Sequence, residues 1–471
     1  MKKFLILAFL AALLLPAALS ISAPVASAQL YIYHNNVTLQ QDLQSLAEAH
    51  PNLTKLQSIG KSVLGQDLWC IEITNFESPE QKPAIYIDGA HHGNEQLGME
   101  LCYSFADFLL NEYESNVTAK ELVNARHFYI TPLVNPDGNL LDARANAKQV
   151  DLNRNYPYQW TGEGDTIGLS SAGSEPEVAA NMGIMKKIQP DLYVTFHTGA
   201  TVMIYPWGYT PDPPPDEQVY LRLCEEIANR TNLEYGQICS PAMYPAFGGS
   251  IDWSYGELGI ISYCIEVDGE QWVPASTEDI RSRLWQSFDG LLYSAQNVDL
   301  LGAKLEMLDL ALSSNSPDTF TISFTLSNTG FGNATNISIC PNEGDGYCSI
   351  SYFDVPQAIS AGDSCRASVV YSAEFSGEKA FGIAIKYNKT ILHGKQSGLW
   401  YSAAVNVDNG GVEITQLPAD GSVNGAFADG TSAELAGHKQ TAGFETAALV
   451  PAIAGALLAA AALKRNRKNK D

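Results

Sequence analysis

A mixed α/β domain followed by a small β-sandwich is the architecture this sequence predicts. Three observations carry that expectation. Between about residues 31 and 300, apolar runs of strand length alternate with stretches of helical spacing, the pattern of strands interleaved with helices. From roughly 302 to 408 the apolar period changes to two, with Gly and Asn turns between the runs, as in half-buried antiparallel strands. The chain has 471 residues, 45% of them hydrophobic, which is enough to fill two ordinary cores.

Taken in order, residues 1–28 show Lys2 and Lys3, a long apolar run from Phe4, and the small residues Ala26, Ser27 and Ala28. They read as an export signal cleaved near Ala28. The run PAIYIDG (83–89) predicts a buried strand, and Leu97, Leu101, Phe105 and Leu109 recur at four-residue steps as one face of a helix. Three more apolar runs, HFYITPLVNPDG (127–138), DLYVTFHTG (191–199) and ISYCIEVDG (261–269), each end in polar or glycine residues. In open α/β sheets the binding crevice lies beyond the carboxyl ends of the strands, so the chemistry is expected at these ends. A helix carrying Ile280, Leu284, Phe288 and Leu291 closes this domain near residue 300.

In residues 301–408, Phe320, Ile322, Phe324 and Leu326 alternate with Thr321, Ser323 and Thr325 before the turn Asn328-Thr329-Gly330. A second alternation, Phe381, Ile383, Ile385 and Tyr387, completes the expectation of a small immunoglobulin-like β-sandwich. The stretch 409–440 is rich in Gly, Ala, Asp and Ser and reads as a flexible stalk extending to about 445. Residues 446–463 form an apolar run followed by the basic tail KRNRKNKD. That length is at the short limit for a membrane-spanning helix, and the basic flank predicts a cytoplasmic tail with the body facing outward.

Composition narrows the partners. Acidic residues number 52 against 28 basic ones, a formal charge of −24, so the field of the protein repels nucleic acid. Eight cysteines, at 70, 102, 224, 239, 264, 340, 348 and 365, include no CxxC pair. Export permits disulfides, and the pairing stays open. Seven glycosylation triplets, at Asn36, Asn52, Asn116, Asn229, Asn333, Asn336 and Asn388, suit an exported surface protein.

The chemistry centres on GAHHGNEQ (89–96). His92 and Glu95, three apart, can supply two metal ligands, although the same spacing also serves as a helix cap with exposed histidines. His197 ends the run DLYVTF, where a purely structural strand more often places an apolar residue or a turn former. Two His and one Glu leave a tetrahedral zinc with an open position for water. Glu266 ends SYCI in the same way and, beside a metal, suits a general base; its bland alternative is a surface ion pair.

In this order the motifs resemble the zinc metallocarboxypeptidases of the carboxypeptidase A type, over about residues 31–296. The family's HxxE matches His92-Gly93-Asn94-Glu95, and its NPDG matches Asn135-Pro136-Asp137-Gly138. Its arginine and asparagine motifs match ARANAKQVDLNRNYP, its last histidine matches VTFHTG, and its substrate loop matches YPAFGGSIDW, with Glu266 fourteen residues after Asp252. The resemblance implies a carboxypeptidase-like, mostly parallel mixed sheet flanked by helices, and one Zn2+ held by His92, Glu95 and His197. It implies Glu266 as general base and Arg144 as the group stabilising the developing oxyanion. Asn153 and Arg154 are implied to hold the free terminal carboxylate of a peptide, Tyr244 to cover it, and Asp151 to orient His92. Ile251 is implied at the base of the specificity pocket, where an apolar residue favours apolar or aromatic C-terminal residues. His91 falls at a variable position, expected beside the cleft.

The chain departs from the digestive relatives at Asn94, Cys239 and Phe247, which bear on the pocket and more distant subsites. The domain begins almost directly after the signal, so activity is expected without removal of a folded propeptide. The segment Ala442-Gly443-Phe444-Glu445 with the tail after it resembles the archaeal PGF-type C-terminal sorting signal, with Ala442 where that pattern has proline. A processed lipid anchor and a transmembrane anchor both stay open. The whole reads as an exported, surface-anchored zinc carboxypeptidase acting on peptides or proteins with a free C-terminal carboxylate. The alternatives are a cell-wall peptide hydrolase or deacylase on the same fold, and a catalytically degenerate surface binding protein. Asn153, Arg154 and Tyr244 weigh against the former, and the intact ligands and Glu266 against the latter.

Overall fold

The computed structural model describes residues 33–78, 82–165, 167–240, 244–268, 272, 274–316, 319–340, 348–373, 377–408 and 411–416. Asn35 opens the first helix, α1 (Asn36–Ala49), by accepting from the N–H groups of Val37 and Thr38 while Thr38 answers as the other half of a capping box. Two antiparallel strands follow, β1 (Thr54–Lys61) and β2 (Asp67–Ile73). Then come β3 (Ala84–Gly89), α2 (Gln96–Asn111), α3 (Val117–Ala125), β4 (His127–Thr131) and the short α4 (Pro136–Leu140). The domain continues with α5 (Pro176–Ile188), β5 (Leu192–His197), β6 (Val202–Tyr205), α6 (Glu217–Thr231), β7 (Glu234–Gln237), α7 (Ser250–Leu258) and β8 (Ile261–Glu266).

The expected closing helix is two. α8 (Thr277–Arg283) and α9 (Trp285–Gln296) meet at Leu284. Ile280, Leu284, Phe288 and Leu291 are all buried, so the spacing identified the buried face correctly and missed the break.

The eight strands form one mixed sheet in the order β1-β2-β4-β3-β5-β8-β6-β7. Its centre, β4-β3-β5-β8, is parallel, and β2 and β6 join it antiparallel. Alternation along the strands sends side chains to two cores. Ile85, Ile87, Leu192, Val194, Ile261 and Ile265 pack with α1, α2, α3, α6, α8 and α9. Tyr86, Tyr193 and Cys264 pack with α5 and α7 on the other face. Both faces are covered by helices, as parallel strands require.

The second region contains two antiparallel sheets. β9 (Leu305–Ser316), β10 (Thr319–Asn328), β12 (Cys348–Asp354) and β14 (Ser364–Ala373) give the order β12-β14-β10-β9. β11 (Ala334–Cys340), β13 (Ala358–Ile359), β15 (Gly377–Asn388), β16 (Gln396–Asp408) and β17 (Gly411–Gln416) give β13-β11-β15-β16-β17. Phe320, Ile322 and Val369 of the first sheet share one core with Ile339, Ile383 and Ile385 of the second, consistent with the expected sandwich. One boundary changes. Residues 411–416, expected at the start of the stalk, pair with β16, and GVEITQ alternates apolar and polar residues as an added strand does.

The loop 389–395 joins the two regions. Asp216, 3% exposed, accepts from the N–H of Ile391 at 2.7 Å, the N–H of Leu392 at 3.1 Å and Tyr255 Oη at 2.9 Å. His393 Nε2 donates to the Gly256 carbonyl at 2.7 Å, and Lys389 and Lys395 Nζ stand 3.7 and 3.4 Å from Asp191. Burial pushes the Asp191 carboxyl up, but the two lysines outweigh it and hold it below its ordinary value.

Among the described residues no helix is long and apolar enough to cross a membrane. The export signal (1–28), the rest of the expected stalk, and the apolar run with its basic tail lie outside the described residues. Among the described residues, Cys70, Cys102, Cys224, Cys239, Cys264 and Cys365 are free thiols.

Candidate active site

The site lies at the carboxyl ends of the central parallel strands. Just beyond β3 the chain turns at Ala90, with φ of +51°, and presents His92 and then Glu95, the residue that precedes α2. Gly93 has to be glycine: a Cβ there would sit 2.0 Å from the Gly138 carbonyl carbon. The HGNE and NPDG motifs are therefore packed backbone to backbone. Asn135 fastens the same turn, donating from Nδ2 to the carbonyls of His91 at 3.1 Å and Arg144 at 3.2 Å.

His92 Nδ1 lies 2.7 Å from Glu95 Oε1 and 3.0 Å from His197 Nδ1, which is 2.8 Å from Glu95 Oε2. Among the described residues these three form the one cluster of His, Cys, Asp or Glu able to hold an ion. His92 Nε2 faces Asp151 Oδ1 at 3.1 Å while Nδ1 faces Glu95 Oε1, and carboxylates only accept; with a cation held beside Glu95 the ring proton would sit on Nε2, leaving the Nδ1 lone pair for the ion. That lone pair points at a carboxylate oxygen and a second imidazole nitrogen, an arrangement that a divalent cation satisfies. Two nitrogens and one carboxylate with space beside them is the donor set of a catalytic zinc.

The charges agree. Burial pushes the Glu95 carboxyl up, but the charge and hydrogen bonds of His197 and His92 overcome it and hold it far below its ordinary value. Asp151 is held down likewise by His92, Arg144 and Arg154 against its burial.

Strand register sets the rest. β5 and β8 pair His197 with Glu266 and Thr195 with Cys264, while β8 and β6 pair Glu266 with Val202 and Cys264 with Ile204. Facing residues point the same way, as do residues two apart on a strand. The sheet thus carries an upper row, His197-Glu266-Val202, and a lower row, Thr195-Cys264-Ile204, roughly 7 Å beneath it. Glu266 Oε2 is buried without a hydrogen-bond partner among the described residues. Burial raises the Glu266 carboxyl above its ordinary value, His197 pulling it back and Glu95 adding to the rise.

A cleft of about 540 Å3 joins these groups, lined by His92, Glu95, Arg144, Asn153, Arg154, His197, Tyr244, Ile251 and Glu266. Asp151 stands behind His92. Arg144 bridges Asp151 Oδ2 (Nε, 3.0 Å) and Glu95 Oε1 (Nη1, 3.3 Å). Arg154 donates to the Asn153 carbonyl at 2.9 Å and has no carboxylate within ion-pair distance among the described residues. Asn153 accepts from the Ser250 N–H at 2.9 Å, which turns its amide nitrogen toward His197 Nε2 at 3.2 Å. Tyr244 is 55% exposed at the mouth, its ring centroid 6.0 Å from the Arg154 guanidinium carbon. Gly248, at φ +68°, brings the loop before α7 against the Arg154 carbonyl, where a Cβ would lie 2.7 Å away. Ile251, 3% exposed, forms one wall in α7. Beside it Asp252 accepts from the N–H groups of Gly208 and Tyr209; burial pushes it up to about 7 against those bonds and Arg154.

Residues 39–284 match the family model described as zinc carboxypeptidase, over half of the chain. The chain belongs to the zinc carboxypeptidase family. Carboxypeptidase SOL1 of Arabidopsis thaliana is 31% identical over 258 residues, 52% of each chain. Carboxypeptidase B of Astacus astacus is 29% identical over 50% of this chain and 86% of its own. Among solved structures, thrombin activatable fibrinolysis inhibitor superposes with a TM-score of 0.51 at 22% identity, over 59% of this chain and 77% of that one. That likeness bears on the fold. The match spans about half the length of the plant relative. The family is one of zinc metallocarboxypeptidases, and the cluster of His92, Glu95 and His197 suits its metal.

One expectation changes. His91 is not beside the cleft: it is fully buried behind the zinc carboxypeptidase site, its ring 5.6 Å from that of His197 and nearly parallel at 19°. Spacing could not show this, because a histidine next to a ligand reads the same whether it faces solvent or core. The lower row was also missed: Cys264 is two residues from Glu266, a signal available only once β8 is known to be a strand.

Proposed function

We propose that the chain is a zinc carboxypeptidase that removes the C-terminal residue of peptides or proteins outside the cell. Arg154 carries this reading. Its guanidinium opens into the same cleft as the ligand triad and lacks a carboxylate partner among the described residues, and that planar group binds a terminal carboxylate through two parallel hydrogen bonds. With His197 bound through Nδ1, its Nε2 holds the ring proton, so the Asn153 amide loses that acceptor and is left for a carboxylate oxygen. Tyr244, at the mouth, closes over the bound end. An enzyme that grips the carboxylate in this way measures the end of its substrate.

Bound zinc supplies a positive charge that acidifies water and polarises the carbonyl of the bond to be cut. Glu266, with one oxygen unengaged and its carboxyl raised by burial, takes the proton of the attacking water and passes it to the departing amine. Arg144, 46% exposed, donates to the carbonyl oxygen as it becomes negative. The departing residue's side chain points down to the row Thr195-Cys264-Ile204, beside Ile251. These walls favour an apolar or aromatic residue. The outward, anchored address rests on the signal-like N-terminus and the apolar C-terminal run.

The test is a mixed peptide library incubated with the protein, with released residues identified by mass spectrometry. Single apolar C-terminal residues are expected, and internal fragments would reject the exopeptidase reading. Protease shaving of intact cells tests the address: activity is lost if the domain faces outward, and full protection rejects that location.

A further inference from the structure

We propose that His91 is a positioning residue for the zinc site, acting through Tyr156. Two short segments build the site: 91–92, which presents the first ligand, and 151–156, which carries Asp151, Asn153 and Arg154. They are joined by two rungs. One is His92 Nε2 to Asp151 Oδ1 at 3.1 Å, and the other is His91 Nε2 to Tyr156 Oη at 2.8 Å. The second rung is wholly buried, since both His91 and Tyr156 are 0% exposed. It therefore keeps its geometry where the first, whose Asp151 side chain is 15% exposed, borders the cleft.

His91 reaches both ligand histidines. It precedes His92 directly, and its carbonyl is held by Asn135, so fixing its side chain fixes the turn that aims His92. Its ring lies nearly parallel to that of His197, whose other neighbours include His92, edge-on with centroids at 4.6 Å, Glu95 Oε2 at 2.8 Å and the Asn153 amide. Beneath, Nδ1 of His91 faces Thr195 Oγ1 at 3.5 Å and Asp88 Oδ1 at 3.7 Å. Asp88 is itself held by Tyr193 Oη at 3.0 Å and Asn181 Nδ2 at 2.7 Å. Tyr156 is braced from behind by Trp253, ring centroids 5.6 Å apart. A buried polar frame of this kind holds one orientation of a ligand, and losing a partner behind a ligand typically weakens metal affinity by about 10- to 100-fold.

The experiment measures zinc affinity of the full chain by chelator competition, in a cycle of Tyr156→Phe, His91→Leu and the double variant. Tyr156→Phe, which removes one oxygen and keeps the ring, is expected to weaken zinc about tenfold. In the His91→Leu background the same change is expected to do nothing further, because the rung is already gone. Unchanged affinity in Tyr156→Phe, or independent losses that multiply in the double variant, would overturn the proposal. If His91→Leu does not fold, Tyr156→Phe alone decides. A packing role alone would lower thermal stability equally with and without zinc and leave the affinity where it was.

Discussion

The roles proposed for Glu266 and Arg154 fall on different parts of the reaction, and single substitutions separate them. Glu266→Gln keeps the shape of the side chain and removes its basicity. Zinc content measured by atomic absorption is expected to be unchanged, while turnover falls by about 10^3-fold; substantial residual turnover would reject Glu266 as the base. Arg154→Met removes the carboxylate grip and is expected to lower kcat/KM on the order of 10^2-fold, as read on peptides with free termini. Loss of zinc would instead mark Arg154 as structural. Away from the cleft, His34 is clasped by Glu100 at 2.8 Å and Asp42 at 2.9 Å. Burial pulls the His34 ring down, but the bonds to the two carboxylates outweigh it and raise it above its ordinary 6.5. A raised histidine contributes stability that is fully present below the unfolded value and lost as pH rises through the folded one. The wild type should therefore lose more melting temperature than His34→Gln on going from pH 6 to pH 9; equal losses would refute the clasp.

At the scale of the element, β8 places Glu266 and Cys264 on one face two residues apart, so in the proposed reading a single strand serves both the chemistry and the selectivity. Cys264→Leu fills the lower row and is expected to cut kcat/KM about tenfold or more for phenylalanine-ended peptides while sparing alanine-ended ones. Equal losses on both would show general damage rather than a shallower pocket. The strand ends were legible in the sequence because a polar residue closing an apolar run breaks the pattern, and His197 and Glu266 both do so. Motif order then brought in Arg144, Asn153, Arg154 and Tyr244, all of which the fold collects in one cleft. What escaped depends on register or burial. The pairing of Cys264 with Thr195 and Ile204 requires knowing which strands are neighbours, and β8 pairs with a strand more than sixty residues away. The break at Leu284 leaves the apolar spacing intact, so spacing cannot reveal it. β17 was hidden because two apolar residues, Val412 and Ile414, give too short an alternation within a Gly-rich stretch.

For the whole molecule, the loop 389–395 makes the peptidase-like domain and the two-sheet region depend on each other. Asp216→Ala would leave the N–H groups of Ile391 and Leu392 and the Tyr255 hydroxyl without their shared acceptor, a cost of about 3 kcal/mol. Calorimetry should show a clearly lowered melting temperature for the full chain, and an unchanged one would mean that the contact contributes little. The same loop bears on descent. Asp216 is answered by residues 175 and 176 positions later, and Asp191 by a lysine 204 positions later. A recombination that exchanged the second region for an unrelated module would take the N–H groups of Ile391 and Leu392 from Asp216 and the two lysines from Asp191, leaving the carboxylates, among the described residues, only the Tyr255 hydroxyl and the Ala84 N–H. Relatives with a different C-terminal module should therefore carry uncharged residues where this chain has Asp191 and Asp216.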